Sequence, residues 1–196
     1  GKTTLSANIA VLWSNSGYKV AVIDADAQKS LTYWIEERKK YYGEGDIGIS
    51  SYNFDIRNIN EELKNIKRKY DFIIIDSPPS ITYDTLQIVR ASNKVFVPAQ
   101  PSPLDLMATL PFLELAKKER KNPIIILNRV MARAKLTDAM ILRLRYAGAK
   151  IARSRLSSKV IFAETFSVGR GVIDISVTSD AAKEIISAGN EILRNL

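Results

Sequence analysis

Short runs of aliphatic residues alternate along this chain with stretches whose apolar positions recur every three or four residues. The runs are Val20-Ala21-Val22-Ile23, Phe72-Ile73-Ile74-Ile75, Val95-Phe96-Val97 and Ile124-Ile125-Ile126-Leu127. Unbroken apolarity, in place of strict alternation, predicts strands buried on both faces of a parallel sheet. Between the runs, Leu5, Ile9 and Trp13 are spaced by four, and Ile56, Ile59, Leu63 and Ile66 by three, four and three. Leu106, Leu110 and Leu113 repeat that helical habit, as do Leu136, Met140 and Leu144. A last helix is predicted through Ala181, Ile185, Ala188 and Ile192. Such alternation predicts a doubly wound α/β fold, a mostly parallel sheet with helices on both faces. The segment Tyr41–Tyr52, with three glycines, predicts an exposed loop before a short strand. No repeat, low-complexity tract or linker interrupts residues 1–196, which read as a single domain.

Composition then narrows the chemistry. The chain has 196 residues with neither cysteine nor histidine. That excludes disulfides, thiolate catalysis, iron–sulfur clusters, Ser-His-Asp systems and imidazole-ligated metals. Carboxylates, lysine, hydroxyls, backbone amides and a hard, oxygen-liking cation are left, which points toward phosphate chemistry. No apolar run approaches the ~18–20 residues of a membrane span, and the start lacks a secretory pattern. A cytoplasmic protein is expected.

Charge is unevenly spread. The net +8 comes wholly from residues 117–170, with 14 Lys/Arg against 3 Asp/Glu; residues 1–116 hold a net −1 and 171–196 a net −2. Such a block reads either as a footprint for nucleic acid or another anionic surface, or as solvated helix faces.

The opening residues, Gly1-Lys2-Thr3-Thr4, precede a helical pattern. A Gly-Lys-Thr at a helix N-terminus offers backbone N–H groups and the helix dipole to phosphate. In that setting Lys2 reaches the β/γ-phosphates and the Thr3 hydroxyl binds Mg²⁺. The tetrapeptide alone is a weak signal. Two further features strengthen it: Asp24 and Asp76 each end an apolar strand, at the sheet edge where open α/β folds bind ligands. Either aspartate alone also reads as a strand-end turn former. A carboxylate so placed suits indirect Mg²⁺ ligation.

Gly1-Lys2-Thr3-Thr4, Asp24-Ala25-Asp26-Ala27-Gln28 and Asp76-Ser77-Pro78-Pro79 together resemble the ParA/MinD branch of P-loop ATPases, with its deviant Walker A loop. Pro98-Ala99-Gln100-Pro101-Ser102-Pro103-Leu104-Asp105-Leu106 and Asn128-Arg129 bring the likeness closest to the ParF-like, ParA-type partition ATPases of plasmids. The resemblance spans essentially the whole chain. It departs at Ala27, where the family usually has proline. It also implies that the chain is truncated at its N-terminus, without the first strand, the other loop glycines and a signature lysine. ATPase competence of the chain as it stands is therefore an open expectation.

The resemblance implies ATP and Mg²⁺ as cofactors and a homodimer that sandwiches the nucleotides. It assigns catalysis to Lys2 and Asp26, the latter orienting the attacking water. It assigns nucleotide contacts to Gly1, Lys2, Thr3, Thr4, Pro101 and Asn128, and metal support to Thr3, Asp24 and Asp76. Pro101 and its neighbours also read simply as a rigid turn ending a strand. The function implied is DNA partition: ATP-driven dimerisation, nonspecific DNA binding on the nucleoid, and release when a centromere-binding ParB-type protein stimulates hydrolysis.

In the basic third, Lys117–Lys121 ends a helix, where cations oppose the dipole favourably. Arg133, Lys135, Arg143 and Arg145 flank an amphipathic helix, while Arg153, Arg155, Lys159 and Arg170 surround a short strand and the Gly169-Arg170-Gly171 loop. The last four are the candidate DNA contacts. With no aromatic interleaving and no reading motif, phosphate-directed, salt-dependent binding is expected. Three alternatives stand beside this reading. One is a MinD-like membrane-associated regulator, disfavoured by an ordinary C-terminal helix, so that no membrane partner is expected. The others are a metabolic ATP-dependent ligase on the same fold and a catalytically inactive dimerisation module.

Overall fold

A computed structural model describes residues 1–43, 47–131 and 135–196. Residues 44–46 of the expected loop, Arg133 and the side chain of Lys135 lie outside the described residues. Helix α1 (Lys2–Asn15) leads into strand β1 (Val20–Asp24), then α2 (Ser30–Tyr42) and β2 (Ile49–Tyr52). A 3₁₀ turn (Ile56–Asn58) runs into α3 (Ile59–Ile66), followed by β3 (Phe72–Asp76) and α4 (Tyr83–Ala91). Next come β4 (Phe96–Ala99), α5 (Pro103–Lys118), β5 (Ile124–Val130), α6 (Lys135–Tyr146) and β6 (Lys150–Ser157). Two short helices, α7 (Ile161–Ser167) and α8 (Val172–Ile175), precede α9 (Asp180–Leu193).

Every strand pairing is parallel, in the orders β2-β1-β3 and β4-β5-β6. Side chains alternate between the two faces of a strand, and the helices divide accordingly. Val20, Val22, Ile124 and Ile126 pack with Leu5, Ile9, Trp34 and Ile185 beneath α1, α2 and α9. Ile125 and Leu127 turn the other way, onto Leu113, Met140 and Leu144 of α5 and α6. Ile56, Ile59 and Ile88 form a third cluster against Ile75. The doubly wound α/β arrangement expected from the alternating pattern is the observed one.

One detail departs from the pattern. β1 is buried at all five positions, as unbroken apolarity predicts. β3 over Phe72–Ile75 and β4 over Phe96–Pro98 are only half-buried, although equally apolar. Pairing explains the difference: each has a strand on one side only, and their facing edges line a cavity of about 380 Å³. Among the described residues no strand lies between them.

The helices on the α1 face are tied by polar contacts across long sequence distances. The buried Asn8 donates to Thr4 O at 2.8 Å and accepts from Val172 N at 2.9 Å, joining α1 to the start of α8. Arg38, stacked between Trp34 and Tyr42, donates to Gly169 O and to Asp174 Oδ2, the latter at 2.7 Å. Both side chains of that ion pair are about 95% buried, so losing either partner would strand a charge inside the protein. The contact demands a glycine at 169. Its φ is +67°, and a Cβ there would lie 2.0 Å from Arg38 N, a backbone atom. Gly169→Ala therefore combines left-handed strain with a clash that no rotamer relieves. We expect it to lower the unfolding free energy by about 3 kcal/mol or more in urea titrations; a loss under about 0.5 kcal/mol contradicts this account of the α2–α8 contact.

Candidate nucleotide-binding edge

All the strands end at the same edge of the fold, and α1 begins there. Gly1 caps that helix, its carbonyl accepting from Leu5 N at 3.1 Å, and no acidic residue occupies the first turn. The free N–H groups and the positive end of the dipole thus face outward beside Lys2, Thr3 and Thr4. Asn8 donates to the carbonyl of Thr4 within α1 and accepts from Val172 N, tying this end of the helix to α8.

Parallel pairing of β1 with β3 sets Asp24 opposite Asp76. The two carboxylates are nonetheless differently engaged. Asp24 Oδ1 accepts from Asp26 N at 3.1 Å, while its Oδ2 accepts from Thr32 N at 2.8 Å and Thr32 Oγ1 at 2.9 Å. It therefore organises the loop carrying Asp26 and the first turn of α2. Asp76 is 1% exposed. Its Oδ1 accepts a long 3.4 Å bond from Ser6 Oγ, and Oδ2 has no partner. Burial is the main cause of a pKa pushed up to about 6, with the Asp24 and Asp26 charges adding to it and Thr3 and Lys2 opposing it.

A buried carboxylate oxygen without a donor is costly. It also fits a particular occupant: a hydrated divalent cation, whose bound waters donate hydrogen bonds. Hydroxyl and carboxylate oxygens suit Mg²⁺, which keeps several of its waters. Among the described residues no group of three or more acidic side chains forms a closed cage, so the remaining ligands would come from water or phosphate.

Asp26 lies on the same edge, half-exposed, with Oδ1 accepting from Gln28 N at 2.9 Å. Lys29 closes the loop in a left-handed conformation, φ 51°, and its ammonium reaches Asp24 O at 3.0 Å. Asn128 ends the buried part of β5 directly beside Gly1: a Cβ on Gly1 would lie 2.0 Å from Asn128 Nδ2. Its Oδ1 accepts from Arg129 N, and Arg129 is itself left-handed at φ 51°. Pro101 sits in the turn before α5, where Ser102 Oγ caps Asp105 N and Asp105 Oδ2 accepts from Gln100 N at 2.7 Å. Gly1, Lys2, Ser77, Pro98, Gln100 and Asp105 line the cavity between β3 and β4. The motif residues thus converge on one rim.

The four arginine and lysine candidates for DNA are differently engaged. Arg153 and Arg155 are exposed on β6. Lys159 is paired with Glu184 of α9. Arg170 lies over the Tyr41 ring at 4.8 Å and donates to Tyr41 OH and Asp174 O. Sequence reasoning missed Ser6, Thr32 and Lys29. The only available signal for Thr32 was a hydroxyl in the first turn of the helix following the Asp24 loop.

A family model described as the CobQ/CobB/MinD/ParA nucleotide binding domain matches residues 1–167. The maintenance of carboxysome distribution protein A of Halothiobacillus neapolitanus is 28% identical over 200 residues, covering 98% of this chain and 91% of that protein. Among solved structures, an ATP complex of an aspartate-to-alanine variant of McdA from Cyanothece superposes with a TM-score of 0.79 at 18% identity, over 98% of this chain and 91% of that one. The MinD cell division protein of Aquifex aeolicus gives 0.77 at 21%, covering 99% and 92%.

Because the folded state raises the Asp76 pKa from 3.8 to about 6, its ionisation opposes folding. Stability is fullest below about pH 4 on this group's account and is lost as pH rises through about 6. Asp76→Asn, which cannot ionise, is expected to raise the stability of the nucleotide-free protein at about pH 7.5 by on the order of 1–3 kcal/mol. Chemical denaturation across this pH range measures it. Destabilisation at neutral pH would contradict the assignment of a strained, unpartnered carboxylate.

Proposed function

This chain belongs to the CobQ/CobB/MinD/ParA nucleotide-binding domain family, a family of ATPases, and on that footing we propose that it is an ATP-driven partitioning switch. One observation above all supports the reading: an orphaned, buried Asp76 oxygen stands beside the Gly1–Thr4 helix end at the strand edge.

In the proposed site, Lys2 holds the β/γ-phosphates against the N–H groups of α1, and Thr4 contacts the α-phosphate. The Thr3 hydroxyl holds Mg²⁺, with Asp76 and Asp24 supporting it through water. The cation supplies charge neutralisation on the phosphates. Asp26 would orient the attacking water from a loop held by Asp24 and Lys29. Asn128 contacts the adenine, and the Pro101 turn shapes the pocket wall.

Two subunits then close over this edge. The rim bears exposed Ile81, Tyr83, Leu104, Met107 and Met131, an apolar surface suited to a second copy. The homodimer binds DNA nonspecifically through basic residues, with Arg153, Arg155, Lys159 and Arg170 as the candidate contacts from the sequence, and associates with the nucleoid in the cytoplasm. A centromere-binding ParB-type partner stimulates hydrolysis and resets the cycle. The relative named for carboxysome distribution favours a second reading of the cargo, a protein body in place of a plasmid. The ATPase cycle is the same in both. Among the described residues no helix is long and apolar enough to cross a membrane. A MinD-like surface association would therefore need some other anchor.

In the full-length protein, Lys2→Ala is expected to abolish both ATP binding and turnover. Asp26→Ala is expected to cut turnover by ~10²-fold or more while leaving binding within about threefold, as loss of a water-positioning group requires. Steady-state phosphate release and calorimetric titration read the two effects. Normal turnover in the Asp26 variant would remove the catalytic assignment.

A further inference from the structure

The strands start at the edge opposite the nucleotide site, and the helices that cross over between them end there. α5 ends at Lys118 just before β5, and α6 ends at Tyr146 just before β6. Register places Ile124 beside Lys150, so both helix ends reach one pole of the β4-β5-β6 half. The chain's positive block follows from this geometry. Lys117, Lys118, Arg120, Arg143, Arg145 and Lys150 all stand at that pole, most of them exposed.

Local contacts draw them together. The tail of α5 folds back, with Lys121 N on Ala116 O and Lys121 Nζ on Ser92 O. The tail of α6 turns at Gly148, φ +77°, which returns Ala149 N to Leu144 O and brings Lys150 back toward the end of α6. The one acid inside the α5 tail, Glu119, is neutralised by a two-pronged pair with Arg90 at 2.8 and 2.9 Å. Lys150 Nζ bonds Asn195, a neutral partner. Among the described residues none of the six cations has a carboxylate partner.

Helix-end lysines complement the dipole, and that alone would account for one or two cations per helix. It does not account for six on neighbouring ends, with Glu119 cancelled and Glu114, one turn back on α5, opposing only part of that charge. By contrast, two of the four candidate contacts from the sequence are occupied, Lys159 by Glu184 and Arg170 by Tyr41 and Asp174.

We propose that this pole, remote from the nucleotide edge, is the protein's principal surface for the phosphate backbone of double-stranded DNA. The inference rests on the DNA-binding reading above and relocates its contact surface. Among the described residues, Leu142 and Tyr146 are the large apolar side chains exposed on α6 beside these cations. A bilayer surface needs a continuous apolar face to insert, so the pole suits a polyphosphate better. Because it lies on each subunit and away from the phosphates of ATP, a single pole binds DNA weakly without nucleotide. An ATP-driven dimer carries two such poles, so dimerisation tightens binding to a duplex long enough to reach both.

The test is fluorescence anisotropy of the full-length protein on a random-sequence DNA duplex, with and without ATP, over a salt series. Wild type and Lys2→Ala are expected to bind alike and weakly in the absence of nucleotide, and wild type alone to tighten when ATP is added. Lys117→Glu/Lys118→Glu/Arg120→Glu and Arg143→Glu/Arg145→Glu should each weaken binding ~30-fold or more. The salt slope should become shallower by about 0.9 for each phosphate no longer neutralised. ATP turnover without DNA should not change, which reports correct folding. The corresponding glutamine variants serve if the glutamates do not fold, with smaller losses in the same direction. If the variants bind as wild type does, the pole is not the site, and the DNA-binding reading stands with its surface elsewhere. If wild type binds no DNA in either nucleotide state, that reading falls and this inference with it. Preference for anionic phosphatidylglycerol vesicles over DNA would overturn the proposal in favour of a membrane surface.

Discussion

The site depends on the in-register parallel pairing of β1 with β3. That pairing sets Asp24 opposite Asp76 at the strand ends, and the start of α1 lies beside them. A shift of one residue would turn either carboxylate to the other face of the sheet. It would also take Val20 and Val22, 1% accessible, out of the cluster beneath α1 and α2. The hydrophobic core and the polar edge are thus fixed by the same register, and neither can slip without the other.

The cost of that arrangement falls on Asp76. Asp24 has a full set of donors from Asp26 and Thr32, whereas Asp76 has one long bond and an empty oxygen. Two carboxylates side by side thereby take different roles, one shaping the loop and the other holding a site in reserve. Such a group destabilises the protein alone and would be relieved by a cation, which would link binding energy and folding energy through it. The opposite layer supplies the rigidity this requires. Asn8 pins α1 to α8, and the buried Arg38–Asp174 pair pins α2 to the same segment. The helix presenting Thr3 and the helix following Asp26 therefore share one anchor.

Much of the edge was legible in the sequence because its signals are local. Gly1–Thr4 is a contiguous tetrapeptide, and Asp24 and Asp76 each close a four-residue apolar run. Thr32 and Ser6 were not legible, since their importance lies in what they face across the loop or sheet. The Arg38–Asp174 contact spans 136 positions and the Asn8–Val172 contact 164; no spacing rule reaches so far. The half-burial of β3 and β4 was hidden for a related reason: apolar composition reports what a strand can bury, and strand order decides what it does. The basic block showed a different limit. Its size was evident from residue counts, but only the common direction of α5 and α6 brings their ends to one pole.

On the proposed reading, a nucleotide-borne divalent cation would complete the buried Asp76 carboxylate. Proton linkage tests it most directly. Calorimetric titration of Mg²⁺ and a non-hydrolysable ATP analogue, in buffers of different ionisation enthalpy, counts the protons released. With Asp76 titrating at about 6, binding at about pH 6 should release close to half a proton more than in Asp76→Asn, and the difference should vanish near pH 8. Equal proton release in the two proteins at pH near 6, with Mg²⁺ affinity unchanged, would contradict the account.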